Sequence, residues 1–290
     1  MFLERGLCDL KEDKPTRMWK VISPAIIYLF IRMGIEIIFG VSGIYMEFLG
    51  TYRKYGMISD TSFFIERLQR KMGNYSDYTI FLSALLSVIY SGYNIRKENP
   101  NILKKMKSSI NIQYLVSCIV FAVSLSAAVS SFLSVLPTDG IYGRYDSAGV
   151  NILSGNIVFR LLTVGGIVPV AEELIYRGLI YRRIKKEYRV YVAMSVSSLI
   201  FAIFTFSFVQ GIYTFVMGMA FSLCYELSDD IRNPVLMHMA VNICFVLAGY
   251  YGIGNISESA FLVVIMIVVE LAAAAVALGT ILKMDEKRGR

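Results

Sequence analysis

Residues 165–178 read Gly165-Gly166-Ile167-Val168-Pro169-Val170-Ala171-Glu172-Glu173-Leu174-Ile175-Tyr176-Arg177-Gly178, an apolar run interrupted by three charged side chains. The whole run covers 156–182, which is long enough for a helix to cross the roughly 30 Å hydrocarbon core of a bilayer. Ionisable groups at that depth are costly, about 2.5–3.5 kcal/mol each on insertion scales. Two adjacent glutamates there favour a functional site over an ion-pair cluster that only fixes helix packing.

The remainder of the chain has the composition of a polytopic membrane protein. Of its 290 residues, 56% are hydrophobic and only 18% are charged, whereas a soluble domain carries about 25% charged residues. This composition excludes disorder, and four cysteines are too few for a secreted disulfide scaffold. The net charge of +7 is expected to reflect cytoplasmic loops, and we predict no nucleic-acid partner because no phosphate-binding loop or zinc-finger spacing is present.

Eight apolar runs predict an all-α fold, a polytopic bundle of about eight transmembrane helices in one integral membrane domain over 1–290. The runs lie at 21–48, 77–95, 113–136, 156–182, 190–207, 209–227, 235–251 and 260–282.

Basic residues predict the orientation of this bundle. They gather in alternate loops, which places both termini in the cytoplasm by the positive-inside rule. The basic loop 50–76 disagrees with that alternation. Either its amphipathic segment 63–72 lies along the membrane surface, or the first two spans are misplaced.

Several charged side chains inside the spans have simple structural interpretations. Arg32 and Glu36 lie one turn apart and are interpreted as a pair that neutralises itself. Glu270 is expected to face the bundle interior. Arg160 and Glu226 lie near span ends, where snorkelling to the surface suffices.

The fourth span offers a catalytic base. Pro169 cannot donate to the Gly165 carbonyl, so the helix is weakened just before the glutamates. Glu173 and Arg177 are one turn apart and can pair, while Glu172 points about 100° away and lacks that counter-ion. Glu172 is therefore a candidate general base toward a water molecule.

The seventh span supplies His238, the one histidine of the chain, and Asn242 on the same helix face. Such groups could donate hydrogen bonds to a developing oxyanion. The plain alternative is a histidine that serves only as a satisfied polar group in the core.

These motifs resemble those of the CPBP (CAAX protease and bacteriocin-processing, or Abi) family of membrane proteins. The family pattern is EExxxR in one span, FxxxH in the next and HxxxN later. Glu172-Glu173…Arg177 fits the first motif and His238…Asn242 fits the third, within 156–250. The second motif is degenerate, since Phe201 is present but Thr205 stands where histidine is expected.

The resemblance implies an intramembrane endopeptidase that cleaves membrane-tethered or small peptide substrates in a lipid bilayer, in a bacterial plasma membrane. It implies that Glu172 activates water, that Glu173 and Arg177 support the site, and that His238 and Asn242 stabilise the oxyanion. Some accounts give the family a zinc ion. Because zinc normally takes three protein ligands in a catalytic site, we predict no metal and no cofactor for a chain with one histidine.

Because of Thr205, the sequence is compatible with either an active or an inactive protein. Threonine is no base near neutral pH, although its hydroxyl can position a water. One hypothesis is a slower glutamate-dependent endopeptidase. The alternative is a non-catalytic scaffold, regulator or bacteriocin-immunity protein that binds another membrane protein. A transporter is disfavoured, because no pair of broken helices recurs in corresponding halves of the sequence.

Overall fold

The computed structural model describes residues 18–55, 61–106, 109–135, 156–205, 207–252 and 260–287. These residues form nine helices and no strand, which confirms the all-α membrane bundle. The helices are α1 Met18–Tyr55, α2 Thr61–Glu98, α3 Pro100–Lys105, α4 Ile112–Val135, α5 over 157–185, α6 Val190–Ile203, α7 Phe208–Ser228, α8 Arg232–Tyr251 and α9 Ala260–Lys287.

Six stretches of the described residues are long and apolar enough to cross a membrane, so the predicted count of eight is not confirmed. They are Met18–Lys54, Tyr75–Glu98, Ile112–Ser134, Phe208–Ser228, Arg232–Tyr251 and Leu262–Lys287. The two predicted spans that do not qualify are 156–182 and 190–207. Helix α5 is interrupted by wide turns, and α6 has only 14 residues, about 21 Å at about 1.5 Å per residue.

The prediction of a long loop at 50–76 is wrong. Helices α1 and α2 each have 38 residues, about 57 Å at about 1.5 Å per residue, and they pack side by side. Residues 63–72 belong to the first turns of α2 and are not a separate surface helix. Arg67 of α2 pairs with Glu47 of α1 at 2.9 Å, so the basic charge of this segment is partly neutralised by the partner helix.

Helix α5 is the central element, and its irregular geometry follows from its sequence. It is α-helical over Ile157–Leu162, Val168–Glu173 and Arg182–Lys185, and π-helical over Thr163–Ile167 and Leu174–Tyr181. The Val168 N–H donates to the Thr163 carbonyl five residues earlier, next to the proline that cannot donate. The predicted weakening before the glutamates is therefore present as a wide π turn.

Two apolar cores meet at α7, where Leu223 packs against both. One core surrounds the second π segment, whose eight residues are all buried, and includes α1 and α6. The other joins α4, α7, α8 and α9. A helix buried on all sides, as this part of α5 is, holds its polar groups away from lipid and positions them rigidly.

The isolated charges of the spans have partners on neighbouring helices. Arg160 is not snorkelling, because it is buried and forms a bidentate pair with Asp77 of α2 at 3.2 and 3.1 Å. Glu270 lies against Ser131 of α4, while its Oε2 atom is buried without a hydrogen-bond partner among the described residues. Glu226 accepts from Lys185 at 2.6 Å.

Candidate active site

The site is centred on a fully buried ion pair within α5. Arg177 Nη1 lies 2.8 Å from Glu173 Oε1, and both side chains have no solvent exposure. Arg177 also donates to the Gly218 carbonyl at 2.8 Å and to the Ser222 hydroxyl at 3.4 Å, both on α7. These bonds offset the cost of a buried guanidinium, which would be prohibitive without them.

Two aromatic rings lie close to this guanidinium. Its carbon lies 5.1 Å from the ring centre of Phe201 on α6 and 5.4 Å from that of Phe221 on α7. Both distances are within the range of cation–π attraction. The structure therefore gives Phe201, the retained residue of the degenerate motif, a place beside the charged cluster.

His238 is held on the other side of the glutamates by α8. Its Nδ1 lies 2.9 Å from Glu173 Oε1, and its Nε2 lies 3.8 Å from Glu172 Oε2. Because the Glu173 carboxylate accepts from Nδ1–H, the neutral ring presents an unprotonated Nε2 toward Glu172. The Nε2–carboxylate distance is too long for a direct hydrogen bond and suits a bridging water.

Glu172 differs from Glu173 in its surroundings. Its Oε1 accepts a hydrogen bond from Tyr28 of α1 at 3.2 Å. Its side chain is 16% exposed, whereas that of Glu173 is fully buried. Glu172 is thus the glutamate at the open side of the cluster, where a water and a substrate carbonyl could reach it.

Asn242 lies one turn beyond His238, but its amide has a structural partner. The Nδ2 group donates to the Val164 carbonyl at 2.9 Å, in the first π turn of α5. Gly165 beside it allows α8 to approach, since a Cβ there would come within 2.8 Å of Ile243 Cγ1. This bond fixes α8 against α5 and thereby helps to position His238.

Thr205 lies just past the end of α6. Its hydroxyl donates to the Ala202 carbonyl at 2.7 Å, which satisfies a carbonyl of the last helical turn. Nothing in the described contacts joins this hydroxyl to the glutamates or His238. The structure thus brings together Glu172, Glu173, Arg177, Phe201 and His238, with Asn242 bracing them, and uses Thr205 locally.

Sequence reasoning missed four residues of the site, which are Tyr28, Gly218, Phe221 and Ser222. They lie on α1 and α7, outside the motifs, in runs of ordinary apolar composition. Of these four, only Gly218 carries a sequence signal, since it is a glycine inside an apolar helical run. In the structure an added Cβ there would lie 3.2 Å from Arg177 Nη2 and 2.9 Å from Ser198 Cβ. A helical glycine can mark such a close approach, but the sequence does not say what approaches it.

The donor set does not fit a catalytic zinc ion. Glu173 Oε1 is already held by Arg177 and His238, which leaves the Glu172 carboxylate and one imidazole nitrogen. Catalytic zinc normally takes three protein ligands. In the described part of the chain, no group of three or more histidine, cysteine, aspartate or glutamate side chains is arranged to hold a metal.

Comparison with protein families gave a match that includes residues of this site. Residues 154–244 match the family model described as Rce1-like, type II CAAX prenyl endopeptidase. Comparison with curated proteins gave no match, and comparison with solved structures gave none either. The matched segment contains both glutamates, Arg177, His238 and Asn242. The CPBP resemblance is thereby confirmed for residues 154–244, which are similar to the type II CAAX prenyl endopeptidase family.

Proposed function

We propose that this protein is an intramembrane endopeptidase that hydrolyses a membrane-tethered peptide with a water activated by Glu172. The observation that carries the proposal is the 3.8 Å gap between Glu172 Oε2 and His238 Nε2 at the partly open side of the cluster. A water beside these two atoms, within about 3 Å of each, would contact both groups. The family match over 154–244 supports peptide-bond hydrolysis as the reaction class.

The chemistry follows from the two groups that face the gap. Glu172 takes a proton from the water as its oxygen adds to the substrate carbonyl carbon. Once the proton reaches the departing nitrogen, the carbon–nitrogen bond breaks, which yields a carboxyl group and an amine. His238 Nε2 accepts a hydrogen bond from the water and orients it. The proton that Glu172 has taken then passes to Nε2, which donates a hydrogen bond to the oxyanion and delivers this proton to the departing nitrogen.

Glu173 and Arg177 serve as positioning residues in this scheme. Glu173 holds the Nδ1 side of His238 at 2.9 Å, which fixes the tautomer in the way a buried carboxylate orients a catalytic imidazole. Arg177 neutralises that carboxylate. The scheme needs no second histidine, and a reaction slower by about 10²–10⁴ is the expected cost of lacking one positioned acid-base group at Thr205.

A second candidate function is a non-catalytic scaffold or regulator that binds another membrane protein. It is favoured by Thr205, whose hydroxyl is engaged by the end of α6 and offers no proton-transfer group. In that case the buried cluster would only stabilise the fold.

The experiment that separates these functions compares peptide termini in membranes from cells with wild-type protein, Glu172→Gln, Glu270→Gln or no protein. An endopeptidase yields a cleavage product that disappears with Glu172→Gln and in the deletion strain. Glu270→Gln is the matched control, because it makes the same change within the membrane but between α4 and α9. Unchanged termini in the Glu172→Gln strain, with a phenotype only in the deletion, would establish the scaffold function.

A further inference from the structure

A polar cavity lies at one end of the bundle, away from the catalytic cluster. It has a volume of about 280 Å³, close to the lower end of the roughly 300–1,000 Å³ typical of small-molecule sites. The last residues of α5 and α7 line it, together with Asn99 between α2 and α3. Its lining on α5 begins at Tyr181, about two turns beyond Glu172. The charged side chains that line it are Arg182, Lys185, Lys186, Glu226 and Asp229.

The two carboxylates of this cavity are already neutralised by basic side chains. Lys185 donates to the two oxygens of Glu226 at 2.7 and 2.6 Å. Asp229 accepts from Arg182 at 3.1 Å through one oxygen and from Lys105 at 3.0 Å through the other. Each of the four carboxylate oxygens therefore has a donor, and the cavity has little capacity left to bind a cation.

Hydrogen-bond donors remain after these pairs are formed. Among the described contacts, the Lys186 ammonium and the Asn99 amide have no partner, and Arg182 uses Nε and Nη2 but not Nη1. The Tyr225 hydroxyl accepts from Arg182 Nε, so its own O–H is still able to donate. An anion with oxygens pointing in several directions matches donors on three elements, and lysine and arginine both bind phosphate in this way.

The position of the cavity favours a phospholipid as the source of this anion. The candidate span Phe208–Ser228 ends directly before Asp229, and Lys185 and Lys186 are exposed beside it. Lipid phosphates lie at this level, just outside the hydrocarbon core. The basic segment 182–189 is predicted to be cytoplasmic, and basic pockets between transmembrane helices on that side bind anionic headgroups.

We propose that this cavity binds a phosphate group, supplied by an anionic phospholipid headgroup or by a soluble phosphate. Lys186, Arg182 and Asn99 bind its oxygens, with Tyr225 as a further donor. The bound group thereby joins the ends of α5 and α7 to the segment between α2 and α3, and stabilises this end of the bundle. The site is separate from the proposed endopeptidase chemistry and does not depend on it.

The test titrates phosphatidylglycerol, phosphatidylcholine or inorganic phosphate into the protein in a nonionic detergent and records the unfolding temperature. We expect phosphatidylglycerol to raise Tm of the wild-type protein by about 5 °C at about 100 times its dissociation constant. Lys186→Gln should raise the half-saturating concentration by about 10-fold or more, because one charge-assisted hydrogen bond is lost. Lys186→Arg should behave as the wild-type protein does, since it keeps the charge and the donors.

Lys104→Gln is the matched control, because it removes an exposed lysine of α3 that does not line the cavity. Stabilisation that is lost in Lys186→Gln and kept in Lys104→Gln supports the site. If phosphatidylglycerol alone gives it, the source is the lipid, and if inorganic phosphate gives it as well, the source is a soluble phosphate. The proposal is overturned if no probe stabilises the protein, if phosphatidylcholine stabilises it as much as phosphatidylglycerol, or if both lysine variants weaken the effect equally.

Discussion

At the scale of single residues, the site is a chain of buried charges in which each group depends on the next. Arg177 neutralises Glu173, Glu173 orients His238, and His238 faces Glu172 across the gap. Sequence spacing alone predicts the first of these contacts, because Glu173 and Arg177 are one turn apart on one helix. The two contacts of His238 require α8 to pack against α5.

Removing Glu173 should destabilise the protein severely. Glu173→Leu leaves Arg177 buried without its counter-ion, and we expect a loss of about 3–5 kcal/mol in the free energy of unfolding. The double variant Glu173→Leu with Arg177→Leu should lose less, because no lone charge remains. Thermal unfolding in detergent compares the three proteins, and equal losses in the single and double variants would contradict a coupled pair.

Replacing the histidine should affect rate more than stability. His238→Gln can still donate to Glu173 but cannot exchange a proton with water, so we expect kcat to fall by about 10²–10⁴ with little change in KM. Steady-state cleavage of the peptide identified by comparing membrane termini measures both constants. Unaltered kcat in a folded variant would remove His238 from the mechanism.

Replacing Thr205 by histidine should increase activity, whereas the previous variants decrease activity or stability. Since Thr205 occupies the place of the second-motif histidine, Thr205→His should raise the rate of cleavage while the protein stays folded and inserted. The measurement is the same peptide assay, with size-exclusion chromatography as the check on folding. No gain in a well-folded variant would count against aligning residues 201–205 with the FxxxH motif.

At the scale of elements, α5 and α7 must lie very close together for the cluster to form. Gly218 of α7 gives Arg177 its carbonyl, and an added Cβ would lie only 2.9 Å from Ser198 Cβ of α6. Its neighbours, Ser198 of α6 and Arg177 of α5, are fully buried and have little room to move. The close approach of α7 to α5 is thus a condition for the buried ion pair.

Gly218→Ala should therefore lower the unfolding temperature and the activity together, at a cost of about 1–3 kcal/mol for overpacking. Gly43→Ala in α1 is the matched control, since a Cβ at Gly43 meets nothing within 4 Å. It should be neutral or slightly stabilising, because alanine favours helix over glycine. Equal behaviour of the two variants in thermal unfolding would show that α7 does not need the glycine.

At the scale of the whole molecule, the segments predicted to lie in the cytoplasm gather at one end of the bundle. Arg183 hydrogen-bonds the Lys20 carbonyl at the start of α1 and pairs with Glu98 at the end of α2. At the same end, Arg182 and Lys105 both pair with Asp229, after α7. Which side of the membrane this end faces is a prediction of the basic-residue pattern.

Labelling with a membrane-impermeant thiol reagent tests that orientation. In a chain without other cysteines, Lys186→Cys should react only when the cytoplasmic side is accessible, and Arg53→Cys should react in intact cells. Both side chains are exposed. The reverse pattern would show that the termini are outside.

The sequence by itself determined the membrane bundle, the family signature over 154–244 and the Glu173–Arg177 pair, because apolar length, motif spacing and one helical turn are local properties of the chain. The predictions of a loop at 50–76 and of a snorkelling Arg160 were wrong. The packing of α1 against α2 and the pairing of Arg160 with Asp77 both depend on contacts between distant segments, which a short stretch of sequence does not show.

Only the tertiary structure decided that Tyr28 holds Glu172, that His238 binds Glu173 and that Arg160 pairs with Asp77. These partners are 144, 65 and 83 residues apart in the chain. In each case the contact depends on which helices are neighbours and on how they are rotated. Those choices minimise the free energy of the whole bundle, in which Glu173, Arg177 and Arg160 all find partners, and no single segment encodes them.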